Sequence, residues 1–519
     1  MKKHTALGFL LAGIFALHSA LGFAAKQEFN MRIHSEPPTL DWSLATDNVS
    51  ILILQNLMEG MVHFNEKLEP KPALAKSWNV SKEGRQYTYN LRTDVQWSDD
   101  VPLTAQHFFD SWERLLNPKT ASEYAYFLFD IEGAKEYNEG KLKDFSKVGI
   151  KVKDEHTFVI TLNKAASYFP SVPAFTGTFP IRKELIAKFG DKWTKPGNMV
   201  TLGAFTLGDW RHDSKLSLLQ NPKYYAGKAP LEKVNAYIVN EDTTAINMFE
   251  SGTLQYVSRL PALEIDRLKK SPAYHTSPYL RGYYYGFNIH KKPFDNVKVR
   301  QAFALAVDRK QITDLLKGGQ IPTTSWVPKG MPGYEPTVGL AFDVKKAQKL
   351  LAEAGYPGGK GFPPVTFMFD TRDDNKLIAE RLQGMWKQNL GVDLRVQNED
   401  WKVYLDHLKS DTPGMYRLGW GADYPDPDNF LNLFTSYSGN NYTGWKNKEY
   451  DDLIAKGASE PKMAKRLAYY KKAQLLLTEK DAVIIPLFID SLNVLISPKV
   501  EGLHIDPLDH LDLKKVRIQ

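Results

Sequence analysis

Apolar residues recur along this chain with two different periods. "RQYTYNLR" (85–92), "HTFVITLN" (156–163) and "SLNVLI" (491–496) alternate apolar and polar positions, the pattern of half-buried β-strands. "TAQHFFDSWERLL" (104–116) repeats its apolar residues at helical spacing, with Thr104 placed to cap the N-terminus. "VRQAFALAVDRKQITDLLKGG" (299–319) reads as one helical stretch stopped by Gly318 and Gly319. "FDVKKAQKLLAEAGYPGG" predicts a helix with Asp343 as N-cap, Gly355 just past its C-terminus and Pro357 beyond. "NKLIAERLQGMWKQNLGV" predicts a third, ending near Gly391. Strands and helices mix without a regular βαβ period, an internal repeat or a low-complexity linker. The fold class is therefore α/β, built around several sub-cores.

Composition narrows the setting. The chain has 519 residues, of which 43% are hydrophobic, enough for more than one core. Lys2, Lys3 and His4 precede the apolar run "ALGFLLAGIFAL", and small residues follow in "SALGFAAKQ". That order predicts a signal peptide over residues 1–24, cut after Ala24 with Gly22 at the −3 position. The apolar run is shorter than the ~20 residues of a spanning helix. There is no cysteine, which excludes a disulfide scaffold and the cysteine-borne lipid anchor of bacterial lipoproteins. The expected location is the periplasm, without a lipid anchor. The formal charge of +7 falls to about +5 once Lys2 and Lys3 are removed, and the basic residues are dispersed. No nucleic-acid footprint is present.

Known catalytic and metal patterns are missing. H-E-x-x-H and G-x-S-x-G do not occur, and "AGYPGGKG" fails as a phosphate loop because Ala354 and Gly361 stand where glycine and serine or threonine belong. His504 and His510 are six residues apart with Pro507 between them, poor spacing for a shared metal. We expect no catalytic residues, no metal and no cofactor. One stretch stands out. "GWGADYPDPDNF" (419–430) carries Asp423, Asp426 and Asp428 among Trp420, Tyr424 and Phe430, with no lysine or arginine. Its aspartates do not have calcium-loop spacing. Pro425 and Pro427 beside aspartate fit a structural turn; a carboxylate waiting for a cationic ligand fits as well.

Five stretches in a fixed order decide the matter: 34–50 ("HSEPPTLDWSLATDNVS"), 73–115 (from "ALAKSWNVS" to "FFDSWERL"), 189–205 ("FGDKWTKPGNMVTLGAF"), 283–309 ("YYYGFNIHKKPFDNVKVRQAFALAVDR") and 419–432 ("GWGADYPDPDNFLN"). Together they resemble the oligopeptide- and dipeptide-binding proteins of ABC transporters, the extracytoplasmic solute-binding proteins of family 5. The resemblance runs from about Phe29 to the C-terminus. It implies the bilobal periplasmic-binding-protein fold (class II, cluster C type) with an additional inserted domain. Lobe I would comprise 25–57, 187–281 and 491–519, the accessory domain 58–186, and lobe II 282–490. The hinge would lie near Leu280–Tyr283 and Asp490–Leu492. Two departures fall in the accessory domain: Asp100 stands where the family's "WSDG" turn has glycine, and His107 where its "TAxDF" element has aspartate.

The resemblance also implies a function and a site. A monomer would capture short peptides between its lobes and deliver them to an inner-membrane ABC permease. The same fold also serves as a receptor for nickel chelates, haem or another small solute. Asp423 matches the aspartate that pairs with the peptide α-amine, the one cation every linear peptide carries. Peptide-backbone contacts map to Thr46, Asp47, Asn48, Gly419 and Gly421. Trp401, Trp420 and Tyr124 are placed to wall side-chain pockets. Arg417 and Lys317 match cations that receive the peptide C-terminus, whereas two further cationic positions read Leu408 and Asn375 here, with Lys409 a neighbour able to compensate. Asp426 and Asp428 are expected to hold the turn and the helix that follows.

Overall fold

The computed structural model describes residues 26–519, so the predicted signal peptide lies outside the described residues. Among these residues no helix is long and apolar enough to cross a membrane.

A single 11-stranded sheet runs through the molecule. Its two longest strands, Tyr274–Phe287 and Ile484–Ile496, lie side by side at its centre and pair antiparallel. On one side, Ile484–Ile496 carries Tyr256–Ser258, then Glu28–Ile33, Lys233–Ile238, Lys215–Gln220 and Phe205–Arg211. On the other, Tyr274–Phe287 carries Met415–Gly421, then Thr366–Asp370 and Arg395–Glu399. Each flank touches a different end of the central pair. Tyr256–Ser258 pairs with residues 494–496, whereas Met415–Gly421 pairs with residues 281–287. Between these ends the register breaks, from Pro278 opposite Ser491 to Gly282 opposite Ile489. Pro278 has no amide hydrogen to donate there. Arg281 and Asp490 form an ion pair (3.1 Å) at this break.

Residues 58–204 contribute nothing to the large sheet. They build a four-stranded antiparallel sheet ordered Ala75–Val80, Gln86–Leu91, Thr157–Thr161 and Ile150–Asp154, covered by the helix Ala105–Leu116. The first two strands predicted by alternation lie here, and the third forms the end of Ile484–Ile496. The two departures in this region have local accommodations. Asp100 adopts the left-handed conformation (φ 73°) that glycine would take freely. His107 stands at the third position of its helix, and its ring Nδ1 accepts the Thr104 backbone N–H (3.1 Å), closing a capping box with a histidine. Burial and nearby Arg182 push the His107 pKa down to about 4, which keeps the ring neutral and able to accept.

Helix ends follow their capping residues. Asp343 accepts the Lys346 amide, and Gly391 closes Asp373–Leu390 at φ 71°. The stretch 299–319 is not one helix. It divides into Val297–Leu305 and Arg309–Leu316 because the Asp308 carboxylate accepts the Lys310 N–H and starts a new helix. The second helix ends on Lys317, which is itself left-handed (φ 58°), one residue before the expected glycine stop.

The turn after Gly421 is fixed from behind. Asp426 caps the helix Pro427–Leu431 and receives both Nη groups of Arg466 (2.7 and 2.8 Å), a residue only 2% exposed. Asp428 does not cap; it accepts the hydroxyls of Tyr424 and Tyr470. Asp426→Ala strands the buried Arg466 charge and is expected to lower unfolding free energy by about 3–5 kcal/mol in urea titration. Adding Arg466→Met should recover much of that loss. A native midpoint for Asp426→Ala alone would refute this assignment.

Candidate functional site

A cleft opens where strand Met415–Gly421 and residues 422–442 face residues 34–49, Tyr124 and 259–281. Strand alternation puts Arg417, Gly419 and Gly421 on one face of that strand. A side chain at Gly419 would lie 2.9 Å from Arg281 Nη2 and 3.1 Å from the Gly282 carbonyl oxygen, so close approach of the neighbouring strand requires glycine there. Gly421 meets nothing closer than 3.4 Å. Beyond Tyr416 the strand pairs, among the described residues, only with Tyr274–Phe287, so its other edge is unpaired along the cleft.

Asp423 follows directly. Its carboxylate accepts Asn429 Nδ2 (3.1 Å) and the Tyr124 hydroxyl (3.3 Å). The fully buried Asn429 works twice more, accepting the Asp423 backbone N–H (3.1 Å) and Trp420 Nε1 (2.9 Å) through its Oδ1. One amide therefore sets both the anion and the aromatic wall beside it. Trp420 in turn packs 5.8 Å from the Tyr124 ring. No cation lies within ion-pair distance of Asp423 among the described residues. Burial pushes its pKa up to about 7, against the smaller opposing effects of its two hydrogen bonds and of the charge on His510.

The other expected residues have mixed positions. Thr46, Asp47 and Asn48 line the cleft opposite strand Met415–Gly421. The Asp47 carboxylate is spent as N-cap of the helix Asn48–Leu57, accepting the amides of Val49 and Ser50. Asn48 Nδ2 donates to the Tyr279 hydroxyl (2.9 Å). Trp401 brings its indole N–H near Asp47 from the opposing wall.

The two cationic expectations fare differently: Arg417 lies in the cleft wall and Lys317 does not. Arg417 lines the cleft, but its charge is already balanced: Nη1 donates to Asp370 at 2.7 Å, both side chains are almost fully buried, and the guanidinium stacks 4.3 Å over Tyr283. Lys317 is not part of the cleft wall; the turn that ends its helix sends its ammonium to Asp266 at the surface. Lys409 is engaged by Glu123 (2.6 Å). Leu408 is buried apolar packing, and Asn375 is held between the Tyr283 hydroxyl and the Asp370 carbonyl. Sequence reading missed the cations that do face the cleft, Arg259 and Arg281, and Arg372 of the adjoining chamber. Only Arg281 carried a signal, as a charge inside the apolar run "YLRGYYYGF".

The walls are drawn together. Glu123 accepts the Tyr442 hydroxyl (2.6 Å) as well as Lys409, and its carbonyl receives Asn440. With Tyr124 on Asp423, these contacts clasp the tip of the 58–204 region against residues 409–442.

These features define a class: a bilobal binding protein caught with its cleft closed. Residues 69–442 match the family model for bacterial extracellular solute-binding proteins, family 5 middle region, and the chain belongs to that family. It is 35% identical to the periplasmic oligopeptide-binding protein OppA of Escherichia coli, over 97% of this chain and 95% of that one. The structure of Haemophilus influenzae OppA in complex with RPPGFSPFR superposes with a TM-score of 0.90 at 30% identity, covering 95% of this chain and 99% of that one. The murein tripeptide binding protein MppA of E. coli superposes at 0.91 and 32% identity (95% and 99% covered), but its unliganded open form at only 0.65 (95% and 98% covered). The lobe arrangement here is thus unlike the open one.

The raised pKa of Asp423 has a measurable consequence. In a solvent-exposed carboxyl the pKa is about 4; in the empty closed cleft it is about 7. Closing the empty protein therefore takes up a proton between those values. Acid favours the empty closed form, and that preference is lost as pH rises through 7, by up to about tenfold per pH unit. Small-angle scattering of ligand-free protein should show compaction from pH 8 to pH 5, and Asp423→Asn should remove most of that response. An identical pH response in native and Asp423→Asn protein would refute the assignment.

Proposed function

We propose that this protein is the exported, periplasmic, substrate-binding component of an ABC transporter, capturing short peptides between its lobes and handing them to an inner-membrane permease. The observation that carries the reading is Asp423, a carboxylate facing the cleft with hydrogen-bond donors around it and no cation to neutralise it. An α-ammonium is the cation common to all linear peptides. Enclosing it costs several kcal/mol in lost hydration unless a carboxylate and further acceptors replace the water. The unpaired strand edge at Gly419 and Gly421 supports strand-like pairing with a peptide main chain, which gives affinity without side-chain specificity. The relatives named for oligopeptide binding support the same ligand class, and the retained anion disfavours a nickel chelate or haem.

The register break at Pro278–Gly282 and Ile489–Ser491 supports a hinge there, close to the boundaries expected at Leu280–Tyr283 and Asp490–Leu492. Ligand contacts made by both walls at once then favour the closed state. The protein's role is capture and release, with no chemistry on the ligand.

Asp423→Asn is expected to weaken peptide binding by two to three orders of magnitude, the roughly 3–5 kcal/mol of an unpaired buried charge. N-acetylated peptides should bind the native protein poorly in calorimetry. Mass spectrometry of ligand released from purified protein should give a set of short peptides. Unchanged affinity on acetylation, or release of one non-peptide metabolite, would sink the reading.

A further inference from the structure

Beside the cleft lies a second chamber, and Arg259, Arg281 and Arg417 belong to the walls of both. Arg372 joins them in the second chamber. Four arginines share this space with four carboxylates in or beside it, but only two of those acids form ion pairs with them. Asp370 is committed to Arg417 and Asp490 to Arg281. Asp374 accepts the Ala262 amide (2.9 Å), and Asp509 accepts the Tyr279 hydroxyl (3.1 Å). Burial pushes both of these last two carboxyls up, Asp374 to about 6. Among the described residues neither Arg259 nor Arg372 forms an ion pair, although the field of Asp509 acts on Arg259 and those of Asp242, Asp374 and Asp370 act on Arg372. Arg259 donates only to His34 Nε2 (3.2 Å), a ring that burial and the surrounding arginines keep neutral, and its backbone is held in the left-handed region (φ 59°). Among the described residues the buried Arg372 Nε has no hydrogen-bond partner, and the Nε of Arg417 shares that condition. Unpaired buried donors of this kind are costly unless something fills them.

We propose that Arg259 and Arg372, with Arg281 beside them, form an anion subsite in this second chamber that receives a carboxylate of the bound ligand, distinct from the positions of Arg417 and Lys317. It supplies the cationic end that Leu408, Asn375, Lys317 and the self-paired Arg417 do not. Guanidinium groups suit the task because their planar donors match a carboxylate in pairs. The carboxylate is either the peptide C-terminus or an acidic side chain. The subsite rests on the peptide reading above, with Asp423 holding the opposite, cationic end.

Calorimetry on native, Arg372→Met and Arg259→Met proteins decides it, with melting curves to show that each variant is folded. The probes are tetra-alanine, its C-terminal amide, and the amide of Ala-Ala-Glu-Ala, each also with its N-terminus acetylated. If the C-terminus is the anion, either variant weakens free-acid tetra-alanine by roughly 10- to 100-fold and leaves its amide within about threefold. If a side chain is the anion, the loss appears for the glutamate peptide amide instead. Equal losses for all three peptides, or none, would overturn the subsite while leaving the amine anchor standing. Acetylation tests that anchor separately: if it makes no difference, or if no probe binds the native protein, the peptide reading fails and the subsite with it.

Discussion

The structure turns on one unpaired charge. Asp423 is a carboxylate in a closed cleft whose neighbours supply hydrogen bonds but no countercharge. Such a group is tolerated only if something else fixes its position and something else eventually neutralises it. The first task falls to Asn429, which grips the carboxylate, the backbone amide and the Trp420 indole together. Behind Asn429, the Asp426–Arg466 pair and the tyrosines on Asp428 hold the short helix in place. Three aspartates within six residues thus do three different jobs. Of the three, only Asp423 faces the cleft without an ion-pair partner, which is why we propose it as the ligand anchor.

The sheet explains how the cleft can close around such a ligand. Its two flanks hang on opposite ends of one strand pair, and that pair loses register in between. A continuous ladder would stiffen the connection. A proline and a break in pairing leave few hydrogen bonds to resist rotation, while Arg281 and Asp490 link the strands at that point. Arg281 also sits under Gly419 and borders both chambers. The register break and the cleft wall therefore share a residue.

Charge within the site is arranged by what is already satisfied. Arg417 and Asp370 neutralise each other, and Lys317 and Lys409 have surface partners. The groups left with spare capacity are Asp423 at one end, and Arg259 and Arg372 in the chamber beside the cleft. The family resemblance singled out Arg417 and Lys317; the distribution of ion pairs draws attention to Arg259 and Arg372 instead.

Local patterns in the chain were enough to specify two strands of the 58–204 region, Gln86–Leu91 and Thr157–Thr161, the helices capped by Thr104 and Asp343, and the turn that carries Asp423, because capping, alternation and turn chemistry act between residues close in sequence. The order of five motifs was enough to indicate the family. The division of 299–319 at Asp308 was also written locally, in a capping aspartate outweighed by the long apolar period around it. What the chain could not express was pairing between distant residues. Asp370 lies 47 positions from Arg417, and Asp266 lies 51 from Lys317. Whether a charge is free or spent depends on such encounters, and burial then sets its protonation. The sequence by itself determined which groups carry charge and which turn presents them. Only the tertiary structure decided which charges were left unpaired, because that depends on contacts the fold alone creates.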